Sequence, residues 1–192
     1  MNDSPRRATL IAVIGDASLR PDDPKVAHAE RVGELIVEAG WKLVTGGLKG
    51  VMEAASRGAR AARSYRPGDT IGILPGNDPA DANPFVDIVI PTGLDHARNT
   101  IIAQADAVIA IGGGAGTMAE LAYAWIMKRL VIAFRVPGWS GRVADSRLDE
   151  RIRYATISDD RVFGVNTAEE AIDLLRERLD AYHARHRGIR RR

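Results

Sequence analysis

Apolar runs alternate along the chain with segments in which apolar residues recur every three or four positions. The predicted strands lie at 9–15, 41–45, 70–75, 85–90, 107–111, 130–134 and 161–165. Short continuous apolar runs are typical of parallel strands that are covered on both faces. The longer periodic segments lie at 25–39, 51–63 and 117–127, and a short helix is expected just before 107. This alternation predicts an α/β fold: a single doubly wound Rossmann-like domain with a parallel sheet flanked by helices.

The same patterns predict the domain limits. Residues 1–8 are expected to form a disordered leader, residues 9–182 the Rossmann-like domain, and residues 183–192 a basic tail. A Thr-Ala-Glu-Glu capping box at 167–170 begins the last predicted helix, which extends to about residue 182. The polar segment 135–160 has no readable period, so no element is predicted there.

Composition narrows the class of protein. The chain has 192 residues, and 45% of them are hydrophobic, which is enough for one substantial core. Cysteine is absent, so disulfides and thiolate metal sites are excluded, and the four histidines show no metal-ligand spacing. No stretch has the length and apolarity of a membrane span or a signal peptide. We therefore expect a cytoplasmic protein with no metal site and no membrane partner.

The positive charge of the chain is concentrated at one end. The formal net charge is +2, but the last eight residues contain five arginines: Arg185, Arg187, Arg190, Arg191 and Arg192. The rest of the chain is therefore mildly acidic. A short basic terminus on an acidic body is typical of a solvated tail, so nucleic acid is not an expected partner.

Three glycine-bearing turns follow predicted strands, at 15–18, 46–50 and 112–117. Because the carboxyl ends of parallel strands meet at one edge of a sheet, these turns should lie together, at the edge where such sheets bind ligands. Glycine lets a ligand approach bare backbone, and the helix predicted to begin at Thr117 would point its free N–H groups at an anion. The predicted phosphate-binding residues are Gly15, Ser18, Gly46, Gly47, Gly50, Gly113, Gly114, Gly116 and Thr117.

These turns differ from the common nucleotide-binding motifs. No Gly-x-x-x-x-Gly-Lys-Ser/Thr sequence is present, which excludes a Walker A loop. Thr45 replaces the first glycine of one Gly-x-Gly-x-x-Gly candidate, and Thr117 replaces the last glycine of the other. No acidic residue is placed to hold a ribose, so a dinucleotide dehydrogenase is not expected.

Three motifs together resemble the LOG family, long mislabelled as lysine decarboxylases. The first runs from Gly113 to Glu120 and is similar to the family's Pro-Gly-Gly-x-Gly-Thr-x-x-Glu. The second is Ala97-Arg98-Asn99, which resembles its Arg-Lys helix. The third is the segment 45–52, which resembles its Gly-Gly-Gly-x-x-Gly-Leu-Met turn. The motifs occur in the family's order, and the resemblance extends from about residue 9 to residue 175.

The resemblance implies a Rossmann-like homodimer that binds a nucleoside 5′-monophosphate. It also implies hydrolysis of the N-glycosidic bond, with release of base and ribose 5-phosphate and without a metal or organic cofactor. Arg98 and Glu120 correspond to the catalytic pair, and Asn99 is a further expected contact to the ligand. In this chemistry a carboxylate near the anomeric carbon stabilises positive charge on the sugar, and a guanidinium binds phosphate or sugar oxygens.

Two departures from the family motifs favour an alternative. Gly112 occupies the position of the motif's proline, and Asn99 occupies that of its lysine. Both resemble a divergent branch that includes molybdenum cofactor carrier proteins. That likeness implies a binding or carrier protein for a phosphorylated pterin.

The residues alone leave structural alternatives open. Glu120 could close a capping box with Thr117, and Arg98 could be a solvated helix arginine.

Overall fold

The computed structural model describes residues 7–183, and it contains one seven-stranded sheet in which all strands are parallel. The strands are β1 (Leu10–Gly15), β2 (Lys42–Thr45), β3 (Thr70–Leu74), β4 (Ile88–Pro91), β5 (Ala107–Ile111), β6 (Leu130–Phe134) and β7 (Phe163–Val165). Their order across the sheet is β4-β3-β2-β1-β5-β6-β7. The predicted doubly wound α/β fold is therefore confirmed.

Six α-helices connect the strands. They are α1 (Pro24–Glu38), α2 (Val51–Ala61), α3 (Asn99–Ile102), α4 (Ala115–Ile126), α5 (Trp139–Val143) and α6 (Ala168–Arg178). Three 3₁₀ turns lie at Pro79–Asp81, Asp95–Arg98 and Leu179–Tyr182. Helices α1, α2 and α6 share one apolar layer with the sheet, and α4 and α5 pack in the layer on the opposite face.

The order of the strands creates a switch point. From β1 the chain adds β2, β3 and β4 on one side, then returns to add β5, β6 and β7 on the other side. The carboxyl ends of β1 and β5 therefore diverge into connections that run in opposite directions. Ligands of open α/β sheets bind in the crevice at such a point.

The sequence prediction of the start of α4 was wrong. The helix begins at Ala115 with Gly114 as its N-cap residue, and not at Thr117. Thr117 is the third residue of the helix, and its hydroxyl donates a hydrogen bond to the Gly15 carbonyl at 3.1 Å. The Thr117–Glu120 capping box is therefore absent. A glycine N-cap has no side chain to announce it, so the sequence pattern favoured the wrong residue.

The segment 135–160 contains α5 and then a long connection that side chains hold in place. The Arg153 guanidinium lies 3.6 Å from the centre of the Trp125 ring and donates from Nε to Asp160 at 2.9 Å. The Tyr182 hydroxyl donates to the same carboxylate at 2.8 Å. These buried side chains join the connection to α4, through Trp125, and to the 3₁₀ turn that follows α6, through Tyr182.

Two further observations concern membrane-spanning helices and the predicted ends of the chain. None of the helices within residues 7–183 is long and apolar enough to cross a membrane. Residues 184–192 of the predicted basic tail lie outside the described residues, and so do residues 1–6 of the predicted leader.

We predict that Asp160→Ala lowers the free energy of unfolding by about 3–5 kcal/mol, because it leaves the Arg153 guanidinium buried without its counter-charge. Urea unfolding followed by circular dichroism measures this loss. The control is Asp173→Ala, which removes an exposed partner of Arg176 and should cost less than about 1 kcal/mol. Equal losses in the two variants would show that the cluster is not a structural anchor.

Candidate functional site

A cavity of about 380 Å³ lies at the carboxyl edge of the sheet, where the turns after β1, β2 and β5 meet. This volume suits a small ligand. Eight of the predicted site residues line it: Gly15, Gly46, Arg98, Asn99, Gly114, Gly116, Thr117 and Glu120. Four others do not line it: Ser18, Gly47, Gly50 and Gly113. The structure thus brings the three turns and the Arg98–Asn99 segment together.

The glycine turn after β5 leads directly into α4. Gly114 and Gly116 face open space, because a Cβ built on either glycine would meet no atom within 4 Å. Since Gly114 caps α4 without a side chain, the N–H groups of the first helical turn lack a side-chain acceptor. The positive end of this 12-residue helix therefore faces the cavity, an arrangement that favours an anion.

The neighbouring glycine has a different role. Gly113 has a φ of 95°, and a Cβ there would lie 2.2 Å from the Thr117 hydroxyl. It is required by packing and does not line the cavity. Behind the turn, the Ser140 hydroxyl accepts a hydrogen bond from the Gly112 amide at 2.7 Å and donates one to Phe134 at 2.8 Å. These hydrogen bonds of Ser140, at the start of α5, hold the turn after β5 in place.

The turn after β2 holds an arginine. A Cβ on Gly46 would lie 2.4 Å from Nη1 of Arg98 and 2.6 Å from Sδ of Met52. The guanidinium therefore lies against the bare backbone of Gly46. Gly46 lines the cavity, and its predicted contact with phosphate stays a prediction; its lack of a side chain also makes room for Arg98.

Arg98 and Glu120 form a buried pair at the cavity. Nη1 of Arg98 lies 3.5 Å from Oε1 of Glu120, and the two side chains are 11% and 9% exposed. Burial raises the pKa of the Glu120 carboxyl to about 7, although the Arg98 charge opposes the rise. Burial likewise lowers the pKa of the Arg98 guanidinium. Arg98 is thus not the solvated helix arginine that the sequence left open.

The pair is incompletely satisfied. Nη1 of Arg98 is buried and has no hydrogen-bond partner among the residues that the structure describes. Asn99, next to it, is also buried, and its amide donates to the Gly116 carbonyl at 3.4 Å. A buried guanidinium with an unused donor is suited to bind an oxygen of a ligand.

Several lining residues were missed by the sequence analysis. Leu48, Met52 and Pro75 supply apolar wall on the β2 and β3 side, and Asp95 and His96 lie at the mouth. Asp16 lies beside the glycine turn and accepts a hydrogen bond from Lys25 at 2.7 Å. Pro75 directly follows β3, which pairs with β2, so it lies at the same edge of the sheet as the three turns.

Within residues 7–183, no group of three or more histidine or acidic side chains is placed to hold a metal ion. The polar side chains that line the cavity are instead the guanidinium of Arg98, the carboxylates of Asp16, Asp95 and Glu120, and the side chains of His96, Asn99 and Thr117. The guanidinium and the backbone amides at the start of α4 are the groups that could bind an anionic ligand.

Comparison with known proteins gives one family. Residues 8–172 match the family model described as LDcluster4, the SLOG cluster4 family. A cytokinin riboside 5′-monophosphate phosphoribohydrolase of Mycobacterium marinum is 30% identical over 128 residues, which are 65% of this chain and 65% of that enzyme.

Solved structures with the same fold include two molybdenum cofactor proteins. The molybdenum cofactor binding protein of Rippkaea orientalis has a TM-score of 0.73 and 35% identity, covering 89% of this chain and 97% of that one. The molybdenum cofactor carrier protein of Chlamydomonas reinhardtii has a TM-score of 0.70 and 29% identity, covering 90% and 99%.

We predict that Gly114→Val weakens the binding of AMP about tenfold or more, because the new side chain occupies the open space in front of α4. Its stability should change by less than about 1 kcal/mol, because it meets no neighbouring atom. Calorimetric titration and thermal unfolding measure the two quantities. Gly113→Ala is the contrasting variant, which should lose stability because of its positive φ and the Thr117 contact. Unchanged affinity in Gly114→Val would remove this turn from the binding site.

Proposed function

The chain belongs to the SLOG cluster4 family, and on that premise we propose that it hydrolyses the N-glycosidic bond of a nucleoside 5′-monophosphate. The buried Arg98–Glu120 pair inside the cavity carries this proposal. Its position beside the anion-binding turn supports the catalytic roles that the sequence resemblance implied. Because such nucleotides are intracellular metabolites, we also propose a cytoplasmic location.

The phosphate would lie at the start of α4. There the amides of the first helical turn and the open space at Gly114 and Gly116 accommodate an anion without a metal ion. The Arg98 guanidinium, which lines the cavity, supplies a charged hydrogen bond to a phosphate or sugar oxygen.

The base would lie toward β2 and β3. Leu48, Met52 and Pro75 line that side of the cavity, and apolar side chains suit the face of a planar ring. The sugar then falls between the two ends, near Glu120. As the glycosidic bond breaks, the carboxylate stabilises the positive charge that develops at the anomeric carbon and orients water for addition there.

A second candidate function is a carrier of a phosphorylated pterin, such as molybdenum cofactor. The molybdenum cofactor proteins resemble this chain over about nine-tenths of its length, whereas the hydrolase matches over 65%. Asn99 also supports a carrier, because a neutral amide replaces the cation of the hydrolase motif. The same cavity would hold the phosphate at α4 and the pterin ring at the apolar wall.

We predict that the purified protein releases free base from AMP or from isopentenyladenosine monophosphate, as measured by chromatography. Glu120→Ala should lower that rate by about 100-fold or more while leaving the ligand bound. Arg98→Ala and Glu120→Ala, each checked for intact secondary structure by circular dichroism, test the pair. If the wild type binds AMP and a phosphorylated pterin but releases no base, the carrier replaces the hydrolase. Equal rates in wild type and Glu120→Ala would refute the catalytic role.

We further propose that α4 forms the interface of a homodimer. Glu120 is the single charged residue between Ala115 and Ile126, and its side chain is buried. The outward face is apolar and exposed, formed by Ala115, Met118, Ala122, Tyr123 and Ile126. A helix that is apolar on all sides is typical of a helix covered by a partner. A second copy of this chain would present the same self-complementary face.

The dimer proposal predicts that Ala122→Glu shifts the protein from dimer to monomer, because it places a charge within the apolar face. Light scattering after size-exclusion chromatography measures the mass. The matched control is Ala61→Glu, which makes the same change at an exposed position of α2 on the opposite face of the sheet. A monomeric wild type, or a dimeric Ala122→Glu, would contradict the proposed interface.

A further inference from the structure

Among the residues that line the cavity, no arginine or lysine is left without a carboxylate partner to bind an incoming anion. Arg98 already lies 3.5 Å from Glu120, on the segment that precedes α3. After β1, Asp16 is paired with Lys25 at 2.7 Å. Asp95 and His96 stand at the mouth, with their side chains 86% and 87% exposed. The turn after β2 contributes Gly46 and Leu48, and α2 contributes Met52, all of which are uncharged. Lys49 of that turn does not line the cavity.

An anion bound at this site therefore competes with Glu120 for Arg98. It would sit at the start of α4, one helical turn before Glu120, and it would use the free donor of the same guanidinium. A second negative charge would then lie close to the carboxylate of Glu120, whose side chain is only 9% exposed. Like charges at short distance in a buried site disfavour ionisation of the weaker acid.

We propose that Glu120 takes up a proton from solvent when a dianionic phosphate or sulfate group fills the cavity. The inference rests on the proposed binding function. The ion pair of the free protein becomes a guanidinium beside a neutral carboxylic acid, and Arg98 is released to the ligand. The bound state thus carries one positive charge more, to match the anion.

The starting pKa makes this exchange accessible near neutral pH. In the free protein burial holds the pKa of Glu120 at about 7, so the carboxyl is mostly ionised at pH 8. The anion raises that pKa further, and a proton is taken up on binding. At pH 5.5 the carboxyl is already protonated in the free protein, so the uptake disappears.

The proton has a use in the proposed hydrolysis. Protonated Glu120 can give its proton to the nitrogen of the departing base as the C–N bond breaks, and that nitrogen keeps the bonding electrons. The carboxylate left behind faces the positive sugar. Water then adds its oxygen to the anomeric carbon and returns a proton to Glu120, so the reaction balances as base plus ribose 5-phosphate.

The experiment is calorimetric titration of the full chain with sodium sulfate and with ribose 5-phosphate at pH 8. Neither probe has a glycosidic bond to base, and both are dianions at this pH. Comparing buffers of different ionisation enthalpy gives the number of protons bound. We expect between about 0.5 and 1 proton for the wild type and none for Glu120→Gln, which keeps the shape but cannot titrate.

A second readout is the pH dependence of the affinity for sulfate. Wild-type affinity for sulfate should weaken up to about tenfold per pH unit above pH 7, whereas Glu120→Gln should be nearly independent of pH. His96→Gln, which removes the imidazole at the mouth, should retain the proton uptake. Sulfate binding without proton uptake at pH 8 overturns the inference and leaves the binding function intact. If neither anion binds the wild type, the binding function and the inference both fail.

Discussion

At the carboxyl edge of the sheet the turn after β1 lies against β5 and against the turn after β2, and neither contact leaves room for a side chain. A Cβ on Gly15 would lie 2.2 Å from the Ile111 carbonyl, and one on Gly50 would lie 2.1 Å from the Asp16 carbonyl. Because the turns touch through bare backbone, the cavity between them has walls of fixed shape. The position of Arg98 depends on the same constraint, since its guanidinium occupies the space where Gly46 has no side chain. Binding amides, guanidinium and carboxylate are thereby brought together by the packing of glycine.

Among the described residues, the buried pairs Arg153–Asp160 and Arg98–Glu120 differ in how fully they are hydrogen-bonded. Arg153 donates to Asp160 and to the carbonyls of Trp125 and Arg129. Such a saturated pair holds a structure together. Arg98 lies beside Glu120 with a buried nitrogen that no described residue accepts from. A buried charge that is left partly unpaired lowers the stability of the fold. The presence of the Arg98 guanidinium at the cavity is better explained by the ligand that it would bind.

Much of the fold could be read from the sequence, because strands covered on both faces leave apolar runs that survive without tertiary information. The runs at 107–111 and 130–134 coincide with β5 and β6. The convergence of the three turns also followed, since it depends on parallel topology alone. What could not be read depends on contacts between distant residues. Gly46 makes room for Arg98, which lies 52 positions further along the chain. The connection after α5 is held by the side chains of Arg153 and Tyr182, and no periodic sequence pattern marks these contacts. The predicted start of α4 was wrong for a local reason, because a glycine N-cap has no capping side chain that the sequence could show.

The geometry constrains how a carrier and a hydrolase could differ on this scaffold. A carrier needs tight binding of the ground state, and an enzyme needs binding that strengthens as the bond breaks. Amides at a helix start bind phosphate equally in both states, so they serve either function. Glu120 affects the two states differently, because it must take up a proton when the phosphate binds, whereas its carboxylate attracts a positive sugar. A carboxylate at this position therefore weakens a pure carrier and helps a hydrolase. Asn99 acts in the opposite direction, since a neutral amide stands where the hydrolase motif has a lysine and so offers the ligand no positive charge. Glu120 and Asn99, which lie on adjoining elements of one cavity, therefore favour different functions.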